Sequence, residues 1–175
     1  MITRRTFALS GAALLICRPA LATAMRSATP DDPIAIVNAI YRGTIKGYDK
    51  ERALWLDPRD RRRTLSKALI ALWAKADAKT QPGDSGPIDF DVTTNSQGME
   101  VKSFTAKVES RDDKRATIAA TLTPKGEWIR HSPEDNTVRY DFICEGGRWV
   151  IDDVRSTTDG KAWSLKALLR EALKL

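Results

Sequence analysis

Cysteine and histidine are scarce, with two of the first and one of the second in 175 residues. Beyond position 24 only Cys144 and His131 remain. That excludes an internal disulfide and a structural zinc site, since zinc wants four nitrogen or sulfur ligands. Eight prolines and ten glycines are too few for a fibrous or low-complexity chain, and no apolar run is long enough to cross a bilayer. Neither a glycine-rich phosphate loop nor an EF-hand spacing occurs. What is present is globular usage, 42% hydrophobic with 30% charged residues, in a length that suits one domain.

The first two dozen residues read as a targeting segment. Arg4 and Arg5 lie in Thr3-Arg4-Arg5-Thr6-Phe7-Ala8-Leu9, which resembles the twin-arginine export signal, and the apolar stretch Ala8 to Ile16 is short. Ala20-Leu21-Ala22 and Ala22-Thr23-Ala24 both offer small-x-small cleavage sites. Ile16, where a small residue would be needed, argues against lipidation of Cys17. We therefore expect a signal over 1–24, a single domain over 25–175 and a periplasmic location. Cleavage removes three arginines and no acid, so the formal charge falls from +6 to about +3, an ordinary surface value.

Hydrophobic periodicity divides the remaining chain into a helical half and a strand half. Asp32-Pro33 offers a cap and a first-turn proline, followed by Ile34, Val37, Ile40 and Tyr41 on one stripe. Asp57-Pro58 repeats that start, and Leu65, Ala68, Leu69, Leu72, Trp73 and Ala76 predict one helix reaching about Ala78. Past the Pro82 to Pro87 loop the period becomes two. Phe104, Ala106 and Val108 alternate with polar residues, as do Ala116, Ile118, Ala120 and Leu122. This predicts a hairpin that pairs Val108 with Ala116, Ala106 with Ile118 and Phe104 with Ala120 around an Arg111 to Asp113 loop. Its other face would pair Glu109 with Arg115.

A second hairpin turns at Gly146-Gly147, placing Cys144 opposite Trp149, Phe142 opposite Ile151, Tyr140 opposite Asp153 and Val138 opposite Arg155. After Asp159-Gly160, the stripe Trp163, Leu165, Leu168, Leu169, Ala172 and Leu173 predicts a closing helix with Lys166, Arg170 and Lys174 on its wet side. The expected architecture is α+β, an antiparallel sheet of four or more strands with N-terminal helices and a short C-terminal helix.

Asp32-Pro33 with Ile40-Tyr41, then Gly86-Pro87-Ile88-Asp89-Phe90-Asp91 with Asn95-Ser96-Gln97, and finally Gly147 to Val154, resemble a bacterial envelope family of unknown function that includes the YbjP-like and YqhG-like proteins. The resemblance implies a fold like nuclear transport factor 2 and the cystatins, in which a curved sheet wraps helices into a cone. It implies no agreed activity.

Candidate chemistry is sparse. His131 sits in a polar loop with no partner nucleophile in the pattern, which favours a surface histidine. Asp84, Asp89 and Asp91 are oxygen ligands of the kind calcium takes, but they suit turn capping better. Arg59, Arg61, Arg62 and Arg63 open a helix, and most tryptophans occupy core-compatible positions, so no nucleic-acid partner is expected. Tyr140, Asp153 and Arg155 form a polar end to an aromatic sheet face, where a carboxylate must be paired.

The pocket candidates are Tyr41, Tyr140, Phe142, Trp149, Asp153 and Arg155, with no metal, cofactor or membrane span in the mature chain. The leading expectation is a non-catalytic domain that binds a small ligand in the cone or an envelope protein. The alternatives are an acid-base enzyme using Asp153 and Tyr140, and an inhibitor or immunity protein presenting the Gly126 to Asn136 loop.

Overall fold

Helix α1 (Pro33–Ile45) starts where its sequence says it should. Asp32 accepts the Ile34 N–H at 3.1 Å, Pro33 occupies the first turn, and Val37, Ile40 and Tyr41 form the buried stripe. The structure is a computed structural model describing residues 32–46, 58–81, 83, 86–127 and 132–174, so the expected signal and the Asp57 cap lie outside the described residues.

The stripe expected as one helix is two, α2 (Pro58–Thr64) and α3 (Lys67–Asp77). The cause is a clasp at Leu65 and Ser66. Leu65 makes a parallel bridge with Ile151, and the Ser66 N–H donates to the Ile151 carbonyl at 2.8 Å. In a continuous helix that N–H would donate to Arg62. The Ser66 hydroxyl accepts from the Leu69 N–H at 3.0 Å as the cap of α3 and donates to Asp152 at 2.7 Å. Serine at a cap is favoured because its oxygen replaces a missing helical acceptor.

Five strands follow as an antiparallel meander, in spatial order β1 (Val101–Arg111), β2 (Arg115–Pro124), β3 (Thr137–Glu145), β4 (Arg148–Thr158) and β5 (Lys161–Ser164). Helix α4 (Leu165–Ala172) closes the chain. The fold is α+β, as the alternating patterns predict. Trp163, expected in the last helix, lies on β5 opposite Ser156, because Ser164 caps α4 later than the apolar stripe suggests.

The first hairpin departs from its expected register by two residues. Phe104 faces Leu122, Ala106 faces Ala120 and Val108 faces Ile118. A slip of two leaves every side chain on the same face, so alternation cannot detect it; the turn decides. Asp112 accepts the N–H groups of Lys114 and Arg115, each at 2.7 Å, and its own N–H donates to the Arg115 carbonyl, which makes the loop Asp112 to Lys114. Glu109 sits at a bulge and bonds Arg139 on β3 rather than pairing with Arg115.

The second hairpin holds its expected register at Cys144 with Trp149 and Phe142 with Ile151. Its turn glycines, Gly146 and Gly147, sit at φ 58° and 79°, values that a residue without a Cβ adopts most readily. Then Asp152 bulges out. Beyond it Tyr140 faces Val154, Asp141 faces Asp153 and Arg139 faces Arg155, so the expected Tyr140–Asp153 and Val138–Arg155 pairs do not form. Val154 takes the dry side, while Asp153 and Arg155 point to the other.

The core fills one side of the sheet, where Val37, Tyr41, Leu69, Leu165 and Leu169 from the helices meet Ile118, Tyr140, Phe142 and Ile151 from the strands. Burying a large apolar side chain contributes about 1.5–3 kcal/mol, which is why this layer and not the surface ion pairs sets the architecture. Replacing Ser66 with Ala removes a helix cap and a bond to a carboxylate at once. We expect Ser66→Ala to cost about 2–3 kcal/mol in urea unfolding; a loss no larger than that of an exposed surface substitution would show that the clasp is incidental.

Candidate functional site

Four of the six pocket candidates lie on the side of the sheet that carries the helices. Tyr41, Tyr140 and Phe142 are at most 1% exposed, and Phe104 stacks on Tyr41 with ring centroids 5.1 Å apart. The Tyr41 hydroxyl donates to the Thr93 carbonyl at 2.8 Å. The Tyr140 hydroxyl lies 3.0 Å from it, and since the Tyr41 proton is committed, Tyr140 supplies the proton of that bond. Burial pushes the Tyr41 phenol far above its ordinary value, so it stays neutral. These rings are packed core.

Thr93 belongs to a largely buried polar loop that also holds Asp91, Asn95 and Ser96, three residues of the motifs that carry the resemblance. Asp91 accepts from the Thr93 N–H at 2.8 Å and from the Thr94 hydroxyl at 3.0 Å, and Asp91 and Ser96 bridge through their backbones. The turn-capping reading of Asp91 therefore holds. Asn95 adopts a left-handed backbone, at φ 52°, and uses all four hydrogen-bonding positions of its amide. It donates to the Asp135 carbonyl at 2.9 Å and to the Thr157 carbonyl at 2.7 Å. It accepts from the Thr158 hydroxyl at 3.1 Å and from the Trp163 indole at 2.9 Å. These bonds tie the loop to β4, β5 and the turn Pro133–Asn136. The Asp-to-Ser motif is legible in sequence, but its task as a structural knot is not.

Asp153 and Arg155 lie on the opposite side of the sheet from Tyr140, so no Asp–Tyr acid-base pair is assembled. Arg155 grips both oxygens of Asp141, donating from Nε at 2.5 Å and from Nη2 at 2.9 Å, Thr117 donates to the same carboxylate at 2.8 Å, and the bond to Asp141 raises the Arg155 pKa. Asp153 accepts the Lys166 N–H at 3.0 Å, giving α4 a second cap beside Ser164, and also the Val154 N–H at 2.9 Å. Burial raises its pKa, offset in part by those two N–H groups, Ser164 and the Lys166 charge.

Along this outer side runs an open groove of about 550 Å³, lined among others by Arg115, Thr117, Asp141, Ile143, Asp153 and Lys166. Lys166, expected on the wet side of its helix, instead pairs with Asp152 at 2.6 Å. A second depression of about 410 Å³ lies between Arg111, Asp112, Asp113 and Trp149. Trp149 is half-buried with the Arg111 guanidinium 5.5 Å above its ring, and Arg111 also pairs with Asp32 at 2.7 Å, fastening the hairpin to the start of α1. Arg115, Asp141 and Lys166 were missed in sequence because their convergence depends on the Asp152 bulge and the turn at Asp112.

Among the described residues no group of three His, Cys, Asp or Glu could hold a metal ion, and no helix is long and apolar enough to cross a membrane. Trp128, His131 and Asp84 lie outside the described residues. The end of the Gly126 to Asn136 loop is tied down, since Ser132 caps the Pro133–Asn136 turn and buried Asp135 accepts from Thr157 at 2.7 Å.

The Asp153 carboxyl gives a pH signature. Its proton is held more tightly in the fold than in the unfolded chain. Just above the ordinary carboxyl pKa of about 3.9 the native state therefore binds more protons, and this residue's contribution to stability declines as pH rises through that interval. Asp153→Asn keeps an oxygen for both N–H groups and should erase that decline in urea titrations, whereas Asp153→Ala should lose about 1–2 kcal/mol at neutral pH through the cap. Equal stability of all three proteins at every pH would contradict the capping role.

No protein-family model and no curated protein matches this chain.

Proposed function

We propose that the chain is a non-catalytic, exported domain of the periplasm that recognises a protein partner on the outer side of its sheet. The observation carrying this reading is the contrast between the two sides. Tyr41, Tyr140 and Phe142 occupy the interior where a small ligand would have to sit, while the outer groove is open, with Arg115 at the hairpin and Asp153 and Lys166 at the start of α4. Mixed charge over a partly apolar floor at Ile143 suits a polypeptide, which offers both charged side chains and backbone groups. The acid-base reading keeps one supporting feature, the raised pKa of Asp153 beside the groove, but Tyr140 is behind the sheet and the Asp153 oxygen caps a helix.

The test uses the protein recovered from the periplasm of a bacterial host. A photo-crosslinking side chain at Arg115 should give one discrete protein adduct, and the same group at exposed Lys161 should not. Native mass spectrometry should show no retained small molecule. Arg115→Glu, introduced beside a crosslinker at Ile143, should remove the adduct without moving the thermal midpoint. A stoichiometric small ligand, or adducts that ignore position and charge, would overturn the proposal.

A further inference from the structure

The arginine run Arg59 to Arg63 acquires a definite place in the fold. Arg61 turns inward, pairing with Asp77 at 2.7 Å and lying 4.1 Å over the Trp73 ring. Its neighbours Arg62 and Arg63 are exposed, and two cations from elsewhere in the chain join them. The Arg148 guanidinium donates to the Arg63 carbonyl at 2.9 Å, bringing the start of β4 against the end of α2. The Lys67 N–H donates to Glu145, which faces Arg148 across the hairpin, so the start of α3 reaches the same corner.

Arg61, Arg111, Arg139 and Arg155 each have a carboxylate partner. Arg62, Arg63, Lys67 and Arg148 have no ion pair among the described residues, and all four are exposed. Part of their work is local, since cations in the last turn of α2 offset its carbonyl dipole. One or two would suffice for that. Four exposed cations without an ion pair among the described residues, drawn from three elements, outnumber the two nearby carboxylates, Asp60 on α2 and Glu145, and leave this corner with a net positive charge.

We propose that this corner docks on an anionic lipid surface, a second contact distinct from the protein-binding groove. Shape favours lipid over a single bound phosphate. Neither described depression is lined by any of the four side chains, so the patch is a spread of point charges rather than a pocket. A plane of headgroups satisfies such a spread, whereas a lone anion needs convergent donors. Single-stranded nucleic acid would require exposed aromatic platforms beside the cations. Among the described residues Trp73 is buried beneath Arg61, and the half-buried Trp149 already carries Arg111 on its ring.

The probe is vesicle sedimentation of the mature chain with phosphatidylcholine alone and with phosphatidylcholine mixed with phosphatidylglycerol. Binding should require phosphatidylglycerol and should vanish in 1 M salt, where the Debye length is only about 3 Å. The double variant Arg62→Gln, Arg63→Gln should partition about 25-fold less, at roughly fivefold per cation. It should keep the wild-type thermal midpoint, because the Arg148 bond uses the Arg63 carbonyl and survives. Lys67→Gln should weaken partition as a single step, and Arg115→Gln, in the groove, should leave it unchanged. Equal binding to neutral vesicles, no loss in the double variant, or displacement by inorganic phosphate or by a short single-stranded oligonucleotide would each overturn the proposal, and none would bear on the partner groove.

Discussion

The clasp between Leu65-Ser66 and Ile151-Asp152 governs most of what is specific in this fold. The Ser66 N–H takes the Ile151 carbonyl, and the Asp152 carboxylate is drawn between the Ser66 hydroxyl at 2.7 Å and the Lys166 ammonium at 2.6 Å. Those bonds explain why α2 and α3 are separate and why β4 carries an extra residue. They also explain why α4 begins where it does, since the same bulge aims Asp153 at the Lys166 N–H. Bulges are placed features that re-aim side chains, and here one residue re-aims an entire half-strand.

The alternative register shows what the bulge avoids. Without it, Asp153 would face Tyr140 and Arg155 would face Val138, both within the layer where Tyr140 and Val138 are fully buried. Burying a carboxylate and a guanidinium there costs several kcal/mol per ion unless each is fully bonded, more than one interrupted ladder bond. With the bulge, both reach the outer side, at the expense of two like-charge neighbours, Arg139 with Arg155 and Asp141 with Asp153. Like charges directly opposite repel, so each leans elsewhere. Arg155 turns to Asp141, Arg139 to Glu109 and Glu134, each at 3.0 Å, and Asp153 to backbone N–H groups. The charged outer side is thus a consequence of keeping the interior apolar.

This accounts for which parts of the molecule could be read in the sequence. Alternation fixes which face each residue takes up to the first bulge, which is why the α+β class, the α1 cap, the Gly146-Gly147 turn and the Phe142–Ile151 pair were legible. It is blind to a slip of two, as at Phe104 and Leu122, and fails outright past an inserted residue, as at Asp153 and Arg155. A helical stripe likewise cannot announce that one of its own N–H groups will be taken by a strand distant in sequence, as happens at Ser66. Alternation alone puts Tyr140 and Asp153 on one face, because the pattern holds no sign of Asp152 stepping out. Asn95 was visible only as part of a motif, since its role depends on four partners that fold from elsewhere.

The polar groups inside the molecule bear on where recognition can occur. A cavity that accepts a ligand keeps some donors and acceptors in reserve for it. Here the Tyr41 hydroxyl ends on the Thr93 carbonyl, and the Asn95 amide spends both donors and both acceptor positions within the fold. A ligand entering this side would have to break such bonds before making its own, and each group left unpaired in a buried site costs about 1–3 kcal/mol. On the outer side the situation is reversed. Arg115 is exposed and forms no ion pair among the described residues, with only the Asp112 carboxylate of its own turn close to its charge. The groove beside it is open to water, so a partner docking there displaces solvent and not structure. The same packing that makes the interior costly for a small molecule to enter leaves the sheet's exterior as the surface on which a partner would lose least by binding.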